Sequence, residues 1–590
     1  MTSANTPQIS RPGVTTPESI TGAQAVARVI TSQPDPVVIG MPGGHMMQVY
    51  DALYTLRDDV TTLLVRQESV ATVMAEAYGR MVGRPAFVIG QGAWVLGNAS
   101  IGIMEAHLGS SPMVILIDST DGGSFSHHGP YQAGFGGYGA YDLAAAMRAI
   151  TKQTFVAHDA TQALQMTQLA IKHATTGEPG PVAVVFHSHA LFGRIDAQNQ
   201  PPSYLGWPDD SRVPAAAADA ALDRAADLLR GARMPVIVAG SGVRVSGAQR
   251  ELQRFAERLG APVVTTTGGK GVFAETHDLA AGVIGSFGHD SANQVLGEAD
   301  VVLAIGTKLG STDTANSHSA LLDVGRQRLI HLDVEPLNTS WTWPNDVVVI
   351  GDAADSLRRL TERLGGYEGT DITRAARARE SAGTFLRVVD ESRRPLSGRD
   401  ALAVLSQELR EGAIVTGDAG ENRLFVLREY QSKAGGTVLQ PSGGGGMGYA
   451  VPSAIAAALT HPDAEVVAVC GDGGISMSLT ALMSAVELGV SMTVLVLDNN
   501  VLGWVYNGQG GRTYASELQG FDYAGIAASM GADAHRAETL DELRAAIRAS
   551  VAYPGVSVIV AATTPEDRYQ DLMSSLNKVD VYAVMGDDER

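Results

Sequence analysis

The chain has 590 residues, 45% of them hydrophobic and 18% charged, which are globular proportions in a length that calls for several cores rather than one. Its 43 Lys and Arg against 63 Asp and Glu leave a formal net charge of −20, which disfavours a general nucleic-acid surface because phosphates need compensating cations. The single cysteine, Cys470, excludes an intramolecular disulfide, and no Cys/His cluster has zinc spacing.

Residues 1–18 are polar, with neither the basic start nor the apolar segment of a signal peptide, and read as a tail. No apolar run approaches the roughly 18 to 20 residues of a membrane span. The longest runs, such as 492–497 (MTVLVL), are strand-sized, so the expectation is a cytoplasmic protein without a membrane partner. Four β-rich runs come first: 36–40 (PVVIG), 85–90 (PAFVIG), 112–118 (PMVILID) and 181–186 (PVAVVF). Between them, Val70, Val73, Met74, Ala77 and Met81 recur at helical spacing, which predicts a helix over 68–81. Residues 195–215 are rich in Pro and Asp and read as a linker. The alternation resumes at 234–240, 261–267, 299–306 and 327–335. It pauses in an Arg-rich stretch at 366–396 and returns at 413–418, 464–474, 491–500 and 556–561. Fully apolar strands separated by helices predict α/β architecture, with three doubly wound parallel sheets covered on both faces.

The segment with most chemical content is 470–505, CGDGGISMSLTALMSAVELGVSMTVLVLDNNVLGWV. A strand ends at Gly-Asp-Gly, a helix follows, and a second strand ends at Asp-Asn-Asn. Glycines after a strand let the backbone approach an anion, and the next helix offers unpaired N–H groups. Asp472 and Asn499 are hard oxygen donors 27 residues apart, a spacing that one strand–helix–strand unit returns to the same sheet edge. Two such ligands with diphosphate oxygens suit Mg²⁺. An ordinary Gly-rich turn with Asp and Asn caps is the alternative.

On these residues the chain resembles the thiamine-diphosphate-dependent enzymes of the acetolactate synthase, pyruvate oxidase and 2-oxo acid decarboxylase type. The resemblance implies a pyrimidine-binding domain (19–194), a central domain (216–365) and a diphosphate-binding domain (397–565), with a C-terminal tail from 566. It also implies an active site shared between subunits, hence a homodimer at least and a homotetramer by analogy. Aligning Leu497-Asp-Asn-Asn-Val-Leu-Gly503 with the family's Leu-Asn-Asn motif implies Asp472, the Asn499 side chain and the Val501 carbonyl as metal ligands. Asp498 then stands as a substitution at the first Asn. The segment 443–452 (GGGGMGYAVP) resembles the family's GTMGFGLP, which implies Met447 as the apolar wedge under the cofactor and the Gly445 carbonyl as acceptor from its aminopyrimidine. Gly471, Gly473 and Gly474 would line the diphosphate, and Asn422, in Gly420-Glu-Asn where relatives often have Gly-Gln-His, would donate to it. The stretch 65–88 resembles the family pattern around the catalytic glutamate, which implies that Glu68 acts on the cofactor's pyrimidine ring.

Departures from the pattern bear on the substrate. Trp94 stands where the family turn has proline; this and 265–277 are reminiscent of cyclohexane-1,2-dione hydrolase. Glu421 would repel a phosphate, so it either points away or acts on substrate. Trp504, Tyr506, Gln509 and Arg512 lie past the metal loop, where they would border the substrate cavity or form an ordinary aromatic loop. In 124–132 (SFSHHGPYQ), Gln132 falls where acetolactate synthases have Phe-Gln, and the resemblance implies His127 or His128 as proton relays facing the cofactor across from Trp504. The central domain, with GSG at 240–242 and Lys308 near where relatives hold a phosphate-binding arginine, implies bound FAD or ADP or a vestigial site. The expected activity is thiamine-diphosphate- and Mg²⁺-dependent cleavage or formation of a C–C bond beside a carbonyl of a small-molecule substrate, as in decarboxylation and carboligation of a 2-oxo acid. A diketone hydrolase and a non-catalytic assembly subunit are the alternatives.

Overall fold

A computed structural model of the chain describes residues 19–120, 131–196, 215–367, 369, 371–382 and 387–576. The chain divides into two compact units; Glu76–Arg84 and Met104–Ser111 group with the second, which otherwise begins at Pro214.

The first unit is built on strands β2 (Val37–Gly40), β3 (Thr61–Leu64), β4 (Ala86–Gln91), β5 (Met113–Asp118), β6 (Gln153–Ala157) and β7 (Pro181–Phe186). They form one parallel sheet in the order β3-β2-β4-β5-β7-β6. A short antiparallel pair, β1 (Ile20–Thr21) and β8 (Arg194–Ile195), ties the two ends of the unit together. All six residues of β5 and of β7 are buried, so both faces must be covered. Helices supply that cover, and the core on one face gathers Val26, Ile30, Phe87, Ile89, Leu116, Val184 and Phe186. Each such side chain contributes roughly 1.5–3 kcal/mol on burial. The helix Gly22–Thr31 opens with a capping box, in which Thr21 and Gln24 satisfy each other's backbone N–H groups.

The second unit holds two more parallel sheets. Strands β9 (Pro235–Ala239), β10 (Val263–Thr265), β11 (Ala280–Val283), β12 (Val301–Ile305), β13 (Arg328–Asp333) and β14 (Val347–Ile350) are ordered β11-β10-β9-β12-β13-β14. Strands β15 (Ile414–Gly417), β16 (Thr437–Leu439), β17 (Val466–Gly471), β18 (Met492–Asp498), β19 (Asp533–Ala537) and β20 (Val556–Ala562) are ordered β16-β15-β17-β18-β20-β19. Cys470, in β17, is fully buried.

The first and last sheets share one winding, in which chain order reverses between the first and third strands. The middle sheet has the nucleotide-fold order and reverses between β9 and β12. In open parallel sheets such reversals leave a crevice outside the carboxyl ends of the strands, where ligands bind. The crevices therefore fall at the ends of β2 and β4, of β9 and β12, and of β15 and β17. Among the described residues no helix is long and apolar enough to cross a membrane.

Candidate active site

The reversal between β15 and β17 puts Asp418 and Gly471-Asp472 side by side, with Asp498 next to them at the end of β18. Asp472 is 4% exposed. Its Oδ1 accepts the Gly473 N–H at 2.7 Å, while Oδ2 is buried with no hydrogen-bond partner among the described residues. Asp498 Oδ1 is buried and unpartnered in the same way. The two carboxyl groups are close enough to share a proton, and burial together with this mutual repulsion pushes Asp472 up to about 6. Burial also raises Asp498. Two buried carboxyl groups side by side repel each other when both are ionised, and a proton or a cation between them would relieve that repulsion.

Around them the backbone is bare where a side chain has no room. A Cβ on Gly471 would lie 2.8 Å from Asn422 Nδ2, one on Gly473 2.9 Å from Met447 Cε, and one on Gly474 2.9 Å from Asp418 Oδ2. Asn422, Met447 and the three glycines thus converge on one cradle above Asp472. The loop after β18 is pinned from both sides. Asn499 Oδ1 accepts the Val501 N–H at 3.1 Å, Leu502 N donates to Ser516 O at 2.7 Å, and Leu518 N donates to Asn500 O at 2.8 Å.

The glycine-rich loop that carries Gly445 and Met447 is fixed by residues to which the sequence reading gave no role. Asp418, 1% exposed, accepts the N–H groups of Gly448 at 2.9 Å and Ala450 at 3.4 Å, and burial pushes its carboxyl up to about 6. Glu105 accepts from Gly443 N at 2.9 Å and Gly444 N at 2.6 Å. Arg80 donates to Glu105 at 3.0 Å, to Glu76 at 2.7 Å and to the Gln440 carbonyl at 2.8 Å, and the Tyr449 hydroxyl closes the network on Glu76 at 2.7 Å. Asp418 had a signal, since it ends a strand at a Gly-Asp as Asp472 does. Glu105 had none, because its partners lie 338 and 339 positions away.

Glu421 points into the protein. It is 5% exposed, and its Oε1 accepts from Asn507 Nδ2 at 2.8 Å and Tyr569 N at 3.0 Å, while burial pushes it up to about 7. Trp504 stacks on Tyr569 at 4.2 Å between ring centroids and meets Phe287 edge-on. Gln509 donates to the Tyr514 carbonyl at 3.0 Å and receives the Ser516 hydroxyl at 3.4 Å, so it braces its own loop. Tyr506 is half-buried beside Gly511.

In the first unit, Glu68 begins the helix Glu68–Val82 that follows β3, and its carboxylate accepts from Asn98 Nδ2 at 3.0 Å. Trp94 sits in the first turn of Gly92–Leu108 and is 47% exposed. Gln132, with φ +65°, hydrogen-bonds Gln91 at the end of β4. His127 and His128 lie outside the described residues. In the middle sheet, the amides of Gly240 and Gly242 donate to Ile305 O and Gly306 O. Lys270 of the GGKG segment is buried against both oxygens of Glu275 at 2.7 Å.

Three family models match in succession: the thiamine pyrophosphate enzyme N-terminal TPP binding domain over residues 20–134, the central domain over 222–360, and the C-terminal TPP binding domain over 418–561. Among curated relatives, the acetolactate synthase large subunit of Corynebacterium glutamicum is 30% identical over 503 residues, covering 83% of this chain and 76% of that protein. A probable acetolactate synthase large subunit of Methanocaldococcus jannaschii is 29% identical over 543 residues, 90% of each chain. The acetolactate synthase isozyme 3 large subunit of Escherichia coli is 28% identical over 532 residues, 85% of this chain and 88% of that one. The chain belongs to the thiamine-pyrophosphate-dependent enzymes, and within them to the acetolactate synthase type.

Proposed function

We infer that the protein is a thiamine-diphosphate- and Mg²⁺-dependent carboligase acting on a 2-oxo acid such as pyruvate, as the names of its relatives suggest. The observation that carries the metal and diphosphate part is the pair of unpartnered buried oxygens, Asp472 Oδ2 and Asp498 Oδ1, beneath the glycine cradle. A divalent ion held at Asp472 would neutralise the pair and would offer the cofactor's diphosphate a counter-charge. Bound thiamine diphosphate supplies the carbon nucleophile for bond making and breaking beside a carbonyl.

The chain's own residues divide the remaining work. Asp472 holds the cation, with the Asn499 side chain and the Val501 carbonyl as the further ligands that the motif implies. Asn422 donates to a phosphate oxygen. Met447, braced against Gly473, holds the cofactor from below, with the Gly445 carbonyl as acceptor for the amino group. Glu68 exchanges a proton with the pyrimidine ring. Sharing of the site between two copies of the chain, and a nucleotide in the crevice between β9 and β12, are further parts of this reading. The support for the nucleotide is the strand order of the middle sheet.

Purified enzyme offered pyruvate, benzoylformate and cyclic 1,2-diketones decides the substrate. Carboligation product from pyruvate, dependent on added thiamine diphosphate and Mg²⁺, is the expected result, and diketone cleavage without any reaction of the 2-oxo acids overturns it. Glu68→Gln is expected to remove turnover while calorimetric binding of the cofactor persists. Flavin absorbance in the purified protein identifies FAD in that crevice, and chromatography of the small molecules released on denaturation identifies ADP or neither.

A further inference from the structure

The reversal in the first sheet lies between β2 and β4, and the residues at that crevice are not assigned by the reading above. The loop after β2 is Pro42-Gly-Gly-His45, and the strand beyond β4 ends at Asp118. Asp118 is 1% exposed and ties this loop to the helix after β4: Oδ2 accepts the His45 N–H at 2.9 Å, and Oδ1 accepts the N–H of Gly92 at the start of that helix at 3.1 Å. The loop is shaped to allow it. Gly44 has φ +52°, and a Cβ there would stand 2.5 Å from Asp118 Oδ2. The same carboxylate oxygen lies 3.7 Å from His45 Nδ1, which is buried and has no hydrogen-bond partner among the described residues. The ring packs edge-on against Phe192 at 5.4 Å, and 29% of the side chain stays open. The open part of the side chain therefore excludes Nδ1.

A carboxylate beside one imidazole nitrogen keeps the proton there and leaves the lone pair on the other. Glu68 stands at the end of β3, the neighbour of β2, so His45 and Glu68 occupy the same edge of one sheet.

We propose that His45, oriented by Asp118, is an acid–base residue of the active site that exchanges a proton with the oxygen of the carbonyl substrate. As that oxygen gains electron density it takes the Nε2 proton and becomes a hydroxyl; His45 returns to the neutral form and is reprotonated from solvent at its open edge. No oxidant or second reactant is needed. The assignment of the reacting partner rests on the proposed function, whereas the pair itself is tested without it.

In cofactor-free full-length protein, diethyl pyrocarbonate modification followed by peptide mass spectrometry reads the reactivity of Nε2. His45 is expected to react several-fold faster in the wild type than in Asp118→Asn, with other histidines unchanged. Equal rates in a folded Asp118→Asn protein overturn the pair. In the loaded enzyme, His45→Gln is expected to lower kcat about 100-fold with KM and cofactor binding little changed, and imidazole is expected to restore part of the turnover of His45→Ala. Wild-type kcat in His45→Gln overturns the catalytic role, and this readout stands even where Asp118→Asn fails to fold.

Discussion

Glu105 and Gly444, 339 positions apart in the chain, are joined by a 2.6 Å hydrogen bond from the glycine N–H to the carboxylate. The bond matters because Gly444 belongs to the loop that delivers Met447, and because the Arg80 guanidinium is the other partner of Glu105. Glu105→Ala leaves Arg80 with Glu76 as its one carboxylate partner beside the Gln440 carbonyl, and releases two amides of the glycine loop. Removal of one member of a buried ion network costs about 3–5 kcal/mol, measurable by urea unfolding. Glu105→Gln keeps an acceptor and is expected to lose less. In both variants the affinity for thiamine diphosphate falls, as titration of intrinsic fluorescence will read.

Glu421 makes a pH-dependent prediction whose sign follows from its environment. Among the described residues its donors, Asn507 and Tyr569, both reach Oε1, which leaves Oε2 to carry the proton of the neutral acid. Burial raises the folded carboxyl to about 7, so the fold favours the neutral form. The stability this contributes is complete below the unfolded value near 4 and drains away as pH rises through about 7, when a buried charge has to form. Glu421→Gln keeps the acceptor and cannot ionise. Thermal unfolding is expected to find variant and wild type close at about pH 5, and the variant more stable by on the order of 2–3 kcal/mol at about pH 8.5.

Asp498, which the resemblance sets at an asparagine of the family motif, lies beside Asp472 with its carboxyl raised by burial. Asp498→Asn removes the repulsion between the two from the metal-free protein and one anionic oxygen from the metal-bound one. The metal-free variant is expected to unfold at a higher temperature than the wild type. Its affinity for Mg²⁺ falls about tenfold, since ligand charge sets the strength of such sites. Differential scanning fluorimetry with and without Mg²⁺ measures both, and a larger metal-induced rise in Tm in the variant contradicts the prediction.

The twelve apolar runs of the sequence are the four inner strands of each of the three six-stranded sheets, and the other six strands of those sheets are all edges. The reason is burial. β5, β7 and β17 are covered on both faces, and six consecutive buried residues leave an unbroken apolar signature. β3 has one buried residue in four, and β19 one in five. Such strands take their structure from the neighbour they pair with rather than from their own composition. β11 and β16 are short, and β14 (VVVI) alternates buried and half-buried positions at the edge of its sheet.

The candidate site divides in the same way. Asp472, Asn499, Met447 and Glu68 were legible because they lie in motifs a few residues long. His45, Asp118, Asp418 and Glu105 were not, because each acts through a partner brought near only by the winding of a sheet or the packing of a helix. Glu421, read as acting on substrate or pointing away, points into the interior.

Cys470 lies in the strand that ends at Asp472, sealed from solvent, and burial with Asp418 and Asp472 nearby pushes its thiol well above the usual range. In the folded protein it is therefore inert to disulfide reagents. As the chain's one thiol, it serves as an internal clock: the rate at which it is captured reports how often the sheet bearing the cradle opens, and ligands that occupy the cradle should slow it.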